Sequence, residues 1–381
     1  MNASPILFSP MPCTAETSVP RMTLPLCICG MGMVTALGQT AEETFTAYEA
    51  GVRGFRRTSV LGLDGQPLIA SLAMPVSPEL IGLTRAIALA RPALTECLGQ
   101  VTDAAGRRTA LLLCTPPLDA VQLGPQLARA APFDDLRTAW SQLLALVASE
   151  LETNHRVPVR ALLTFETGHA AGVVALRRAA QLLESGAVEQ CILGGVDSAG
   201  ERTLLERLDL LDQIPSNRVP HGVVPGEAAA FLCLRRAASR CPAVIVAGAS
   251  YAHEHASWPA TGDGLMTAVT NALAAWGGDP RVVAFMAADL HGRREHAASA
   301  AYAALRTVWP TQALPTLIHP ADQLGNVGAA SAPLLLGIAA RRLLVAPRGS
   351  AALVVCSSSA TLRGAAVVAR PTWMVPSWHH A

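Results

Sequence analysis

Residues 161–186, "ALLTFETGHAAGVVALRRAAQLLESG", join an apolar run to a helical one through the turn Phe165-Glu166-Thr167-Gly168-His169. Such a turn suits a nucleophile, because the amides at a helix start point at whatever sits there. Glu166 and His169, three apart at the start of a helix expected over 166–183, have the types of an acid/base pair. The simpler reading is that Glu166 complements the positive end of that helix. Cys114 ends the apolar run "LLLC" but meets two prolines instead of a helix, so no dipole would activate it. Cys356 ends a similar run, and both read as structural thiols. "HEHASW" (253–258) offers two histidines at i, i+2 without an obvious third ligand, which describes an exposed loop better than a metal site. All 29 basic residues are arginine, so any mechanism that needs a lysine amine is excluded.

Positioning such groups takes a framework, and the composition provides for one. The chain has 381 residues, 51% hydrophobic and 15% charged, which implies extensive buried surface. A formal net charge of +1 leaves no basic footprint for nucleic acid or an acidic membrane. Nine cysteines lie scattered, without paired zinc spacing, so a reducing, cytoplasmic setting is expected and neither metal nor cofactor is. No apolar run reaches membrane-spanning length without Pro, Asn or Arg. Residues 1–24, with Pro5, Pro10, Pro12 and Pro20, read as a disordered leader, and 371–381 as a tail.

Between these ends, short and nearly continuous apolar runs alternate with Ala/Leu-rich helical stretches at 39–51, 84–99, 135–151, 169–185, 265–275, 295–307 and 331–344. Unbroken apolar strands are buried on both faces, so the pattern predicts helices covering a mixed sheet. The order strand-Gly, strand-turn-helix, strand, closing strand occurs once over 25–236 and again, more coarsely, over 243–370. This echo predicts a duplicated α/β/α/β/α sandwich divided near 235–242.

Five blocks carry a resemblance. "ICGMGMVTALGQTAEETFTAYEAGVRGFR" (28–56), the turn segment 161–197, "HGVVPGEAAAFLCLRR" (221–236), "LHGRREHAAS" (290–299) and "GNVGAASA" (325–332) resemble, in order and spacing, motifs of the β-ketoacyl synthases. The resemblance spans roughly residues 25–370 and implies the thiolase-like fold. It also implies a reaction. A cysteine at the helix start takes an acyl group from a thioester, and two histidines, or a histidine and an asparagine, assist malonyl decarboxylation.

Set against that pattern, the family's Cys-Ala-Thr-Gly falls on Phe165-Glu166-Thr167-Gly168, so Phe165 stands at the nucleophile position. The first histidine corresponds to His291 and the second position to Asn326, asparagine there resembling the initiating synthases. The family's lysine is absent, and its late glycine loop is "CSSSATLRG" (356–364). Three catalytic features are lost and two remain. The resemblance therefore implies a degenerate synthase homologue with a structural, partner-binding or scaffolding role. That role is a polyketide or fatty-acid synthase partner subunit or a thiolase-like protein associated with bacterial type VI secretion effectors. The competing expectation is an enzyme that decarboxylates or binds an acyl or malonyl thioester through His291 and Asn326. Expected partners are a second copy, a synthase-like or effector/adaptor protein, and an acyl carrier protein. In the family, the strand matching "VRALLTF" (159–165) pairs across a two-fold axis.

Overall fold

The structure is a computed structural model that describes residues 6–7, 22, 24–73, 76–77, 79–117, 133–237, 244–255, 261–292, 294–306, 315–358 and 361–372. A first set of elements runs β1 (Ile6–Leu7), β2 (Leu26–Thr35), α1 (Ala41–Glu49), β3 (Phe55–Leu61), β4 (Pro67–Ser71), α2 (Gly82–Gly99) and β5 (Thr109–Cys114). It continues with α3 (Phe133–Thr153), β6 (Val159–Phe165), α4 (Ala171–Glu184), β7 (Gln190–Ser198), α5 (Arg202–Leu210) and β8 (Glu227–Arg236). A second set runs β9 (Ile245–His253), α6 (Asp263–Trp276), β10 (Val283–Ala288), α7 (Arg294–Arg306) and β11 (Thr316–Ile318). It ends with α8 (Ala321–Leu324), α9 (Ser331–Val345), β12 (Ala351–Ser357) and β13 (Leu362–Ala369).

The main sheet has the order β1-β6-β5-β7-β8-β2-β9-β13-β12-β10-β11. Numbered within their sets from β2 and from β9, the five main-sheet strands of each half lie in the same order, 3-2-4-5-1. In each, strands 2, 3 and 4 pair in parallel, and strand 5 runs antiparallel to 4 and 1. The duplication expected from the sequence is therefore present strand for strand. The halves join through Leu26↔Val246 and Cys27↔Ile245.

The hydrophobic side chains show how the layers stack. The central core combines Val173 and Leu176 of α4 and Leu336 and Ile338 of α9 with strand residues of both halves, such as Leu112, Leu232, Val354 and Val368. Outside one half, Leu89 and Leu94 of α2 and Leu143 and Leu151 of α3 pack on Leu111 and Phe231. Outside the other, Leu265 and Val269 of α6 and Ala300 of α7 pack on Leu353 and Val367. The two halves of this sheet, with helices between and outside them, give the five-layer sandwich. Residues 328–345, including α9, are apolar and long enough to cross a membrane, but 72% of that stretch is buried within the fold. Its apolarity belongs to the central layer.

Several expectations are corrected. The helix after Phe165 starts later than expected, as a 3₁₀ turn over Gly168–Ala170 followed by α4, and the first turn of α4 holds no acidic residue. Glu166 therefore lies before the helix and not in its first turn. The β3–β4 hairpin and α5 were not foreseen. β3 carries the mostly polar "FRRTSVL", exposed on alternate positions, and pairs only with β4, so it lacks the apolar run by which the other strands were recognised. Ile6–Leu7, expected in a disordered leader, form a short strand beside Ala161–Leu162 of β6, so over those two residues the outer edge of β6 is filled within the chain. The rest of the leader, except Met22 and Leu24, and residues 373–381 of the tail lie outside the described residues, as do Cys13 and Cys241.

Candidate functional site

β6 ends at Phe165, whose carbonyl accepts a bond from the Thr115 amide and whose partly buried ring packs on the central core. Four residues on, the 3₁₀ turn over Gly168–Ala170 carries His169, 3% exposed. The second half supplies the opposing groups. β10 leads into Asp289 and His291, α7 carries His296, and the turn between α8 and α9 carries Asn326.

These groups meet. His169 Nε2 lies 2.7 Å from Asn326 Oδ1, which also accepts the Gly328 amide at 3.1 Å. An amide oxygen only accepts, so Nε2 of His169 carries the proton, an assignment that follows from the bond network. That nitrogen is then no nucleophile. The His169 ring stacks on His291 with centroids 4.7 Å apart and planes 20° apart. His291 Nε2 lies 3.1 Å from Nδ1 of the fully buried His296, so one of these nitrogens donates and the other accepts.

Ser358, in the loop just after β12, fastens the turn from the far side. Its hydroxyl donates to the Thr167 carbonyl and accepts the Ala170 amide at 3.1 Å. An amide at the helix start that could greet an anion is thus already bonded. The fully buried Arg363 fixes the loop by donating to the Ser358 carbonyl at 3.0 Å. Its guanidinium lies 3.6 Å from Glu254, which accepts the Ser299 hydroxyl.

Two carboxyls flank the cluster, Asp289 buried and Asp197 half-buried. Asp289 accepts the Ser357 amide at 2.8 Å, and burial pushes its carboxyl up to about 7. Asp197 accepts the Ala329 amide at 2.9 Å and is pushed up to about 6, again by burial. Gly328 stands between Asn326 and Asp197 at φ 49°, where an added Cβ would fall 1.8 Å from Asp197 Oδ2. Only glycine fits there.

A small cavity, with room for about one water, opens beside Asp289, His291 and Asn326 and is otherwise lined mostly by apolar residues, among them Leu324, Leu334 and Leu335. Neither Phe165 nor a cysteine lines it. Burial drives the thiols of Cys114 and Cys356 well above their usual range, so neither presents a ready thiolate beside the cavity. His253 of the "HEHASW" segment bonds Thr361, and residues 256–258 lie outside the described residues. Among the described residues no group of His, Cys, Asp or Glu is arranged to hold a metal.

Of the residues singled out from the sequence, His291 and Asn326 come together on one cavity, and Phe165 ends the strand leading to it. His296, Ser358, Asp289 and Asp197 were missed. Asp289 and His296 lie two and five residues from His291, and Ser358 and Asp197 lie in the quoted segments 356–364 and 161–197, but none matches a family motif position. His169 was noticed only for its distance from Glu166, whereas the structure joins it to Asn326.

No protein-family model matches the chain, and no curated protein is similar to it in sequence. Solved structures are similar in fold. The ishigamide ketosynthase/chain length factor matches with a TM-score of 0.73 at 19% identity, covering 91% of this chain and 99% of that one. A type II polyketide acyl carrier protein in complex with its ketosynthase bound to the hexaketide matches with a TM-score of 0.73 at 14% identity, covering 92% and 100%. The ketosynthase from module 6 of the bacillaene synthase of Bacillus subtilis 168 matches with a TM-score of 0.70 at 11% identity, covering 90% and 71%. The chain has the thiolase-like fold of the ketosynthases.

Proposed function

We propose that this chain is a non-condensing member of the ketosynthase fold that serves as a partner subunit, assembling with a synthase-like protein instead of forming acyl-enzyme itself. One observation carries the reading. The strand end from which a ketosynthase would present its thiol holds Phe165, and the nearby thiols Cys114 and Cys356 are buried in apolar strands. A benzyl side chain cannot accept an acyl group, and no other activated nucleophile faces the cavity. Of the non-catalytic roles that the sequence resemblance implies, a partner subunit is the one that fold neighbours described as a ketosynthase/chain length factor support. Co-expression with a ketosynthase from the same genome tests it. A stoichiometric complex with raised ketosynthase output supports the role, and separate migration with unchanged output opposes it.

A second reading rests on the two polar groups, His291 and Asn326, that line one small cavity. Asn326 Oδ1 already accepts two donors, which leaves its Nδ2 as a donor, and His291 lines the same space. A thioester carbonyl held between them would be polarised without any covalent intermediate, as malonyl decarboxylation requires. Carbon dioxide release from malonyl thioesters, lost in His291→Ala, supports this reading. Release at the rate of that variant removes it.

A further inference from the structure

The outer face of the first half carries a second group of reactive side chains that takes no part in the site above. In the β2–β8 ladder, Ile28 pairs with Leu234 and Gly30 with Cys233, so Cys29 is the inserted residue of a β-bulge. Bulging turns Cys29 and Gly30 to the same side, opposite Cys233. The packing agrees, because Cys233 and Cys97 belong to the cluster between this face and α2, and Cys29 packs against that cluster. α2 lies so close over the bulge that a Cβ on Gly30 would come 2.3 Å from the Cys97 carbonyl oxygen.

The four thiols are not alike. Cys27, Cys97 and Cys233 are fully buried, whereas Cys29 is partly exposed. Burial pushes Cys97 and Cys233 up. Cys29 Sγ donates to the Cys27 carbonyl oxygen at 3.8 Å. The Cys29 thiol is instead held below its usual range by its hydrogen bonding with Cys27, against the effect of burial, with help from the Arg235 guanidinium. Arg235 is itself fixed by bonds to Asp103 at 2.6 Å and Gln190 at 2.8 Å. In a bulge two residues of one strand face a single residue of the other, so Cys29 and Gly30 share Cys233 as their cross-strand neighbour.

We propose that Cys29 is an oxidation site for hydroperoxides and that Cys233, facing it across the bulge, is its resolving thiol. The Cys29 thiolate attacks one peroxide oxygen, the O–O bond breaks, and hydroxide leaves a sulfenic acid on the sulfur. The Cys233 thiol then attacks that sulfur, an S–S bond forms, and the S–O bond breaks with release of water. Two sulfurs are oxidised and one peroxide is reduced. The step is independent of the partner-subunit reading, since no residue of the His291 cluster takes part.

Hydrogen peroxide titration of the full chain, followed by alkylation and peptide mass mapping, tests the proposal. The expected product is about 2 Da lighter and gives a linked Cys29–Cys233 peptide. Cys29→Ser should slow peroxide consumption by at least about tenfold. Cys233→Ala should leave a Cys29 sulfenic acid that dimedone captures. Should that variant not fold, the linked peptide and Cys29→Ser decide alone. Oxidation of other cysteines while Cys29 stays reduced, a link from Cys29 to Cys97, or a Cys29→Ser protein as reactive as the parent would overturn it.

Discussion

His169 donates from Nε2 to Asn326 Oδ1 at 2.7 Å, joining the turn before α4 in one half to the turn before α9 in the other. Both turns lie deep between the sheets, so the bond ties the halves at the point where a ketosynthase would do its chemistry. Asn326→Ala should therefore lower unfolding stability by about 1–3 kcal/mol in urea melts, since it takes a buried donor's acceptor away. A double-mutant cycle with His169→Phe should show coupling beyond the roughly 0.3–0.5 kcal/mol that independent sites allow. Simple additivity would show that the bond contributes nothing.

Gly328 holds that arrangement by giving its amide to Asn326 while passing close to Asp197. Gly328→Ala combines a left-handed backbone with an unavoidable clash, and a loss of about 1–3 kcal/mol or more should follow. An unchanged melting curve would mean the turn is free to rearrange.

Arg85 and Glu227 form a buried pair at 2.6 Å, and Glu227 also accepts the Ala73 amide and the Ser198 hydroxyl. Arg85→Met would leave a carboxylate buried without its cation, at a cost of about 3–5 kcal/mol. The double change Arg85→Met/Glu227→Leu should recover much of that loss. A single variant as stable as the parent would contradict the inferred charge state.

Asp289 and Asp197 give an unusual pH dependence. Folded, they keep their protons up to about 7 and about 6, whereas unfolded carboxyls release theirs near 3.9. Folding therefore takes up protons between these limits, and this contribution to stability grows as pH falls from about 8 towards 4. Asp289→Asn removes its share. The urea midpoint of the parent should rise relative to Asp289→Asn on acidification from pH 8 to pH 5. A constant difference between the two would refute the assignment.

The duplicated architecture was legible because its strands are buried on both faces and so appear as unbroken apolar runs, such as "TALLLC" and "AALVVCS". β3 lacked that signature, and α5, with "RTLLERLDL", buries only Leu205 and Asp209. His291 and Asn326 were legible because each sits in a motif continuous in sequence. His296 and Ser358 were not, because their roles arise from a bond to His291 and from bonds to the 165–170 turn, and only folding brings those groups together. The late start of α4 follows from the same bonds, since Ser358 takes the Ala170 amide and the Thr167 carbonyl.

The central claim is that no side chain at this site carries an acyl group. Intact-mass spectrometry after incubation with acetyl- and malonyl-thioesters of coenzyme A and of acyl carrier protein tests it directly. The account predicts an unmodified chain at every time and thioester concentration. A stoichiometric acyl adduct mapping to residues 161–171, or to any residue lining the His291–Asn326 cavity, would contradict it.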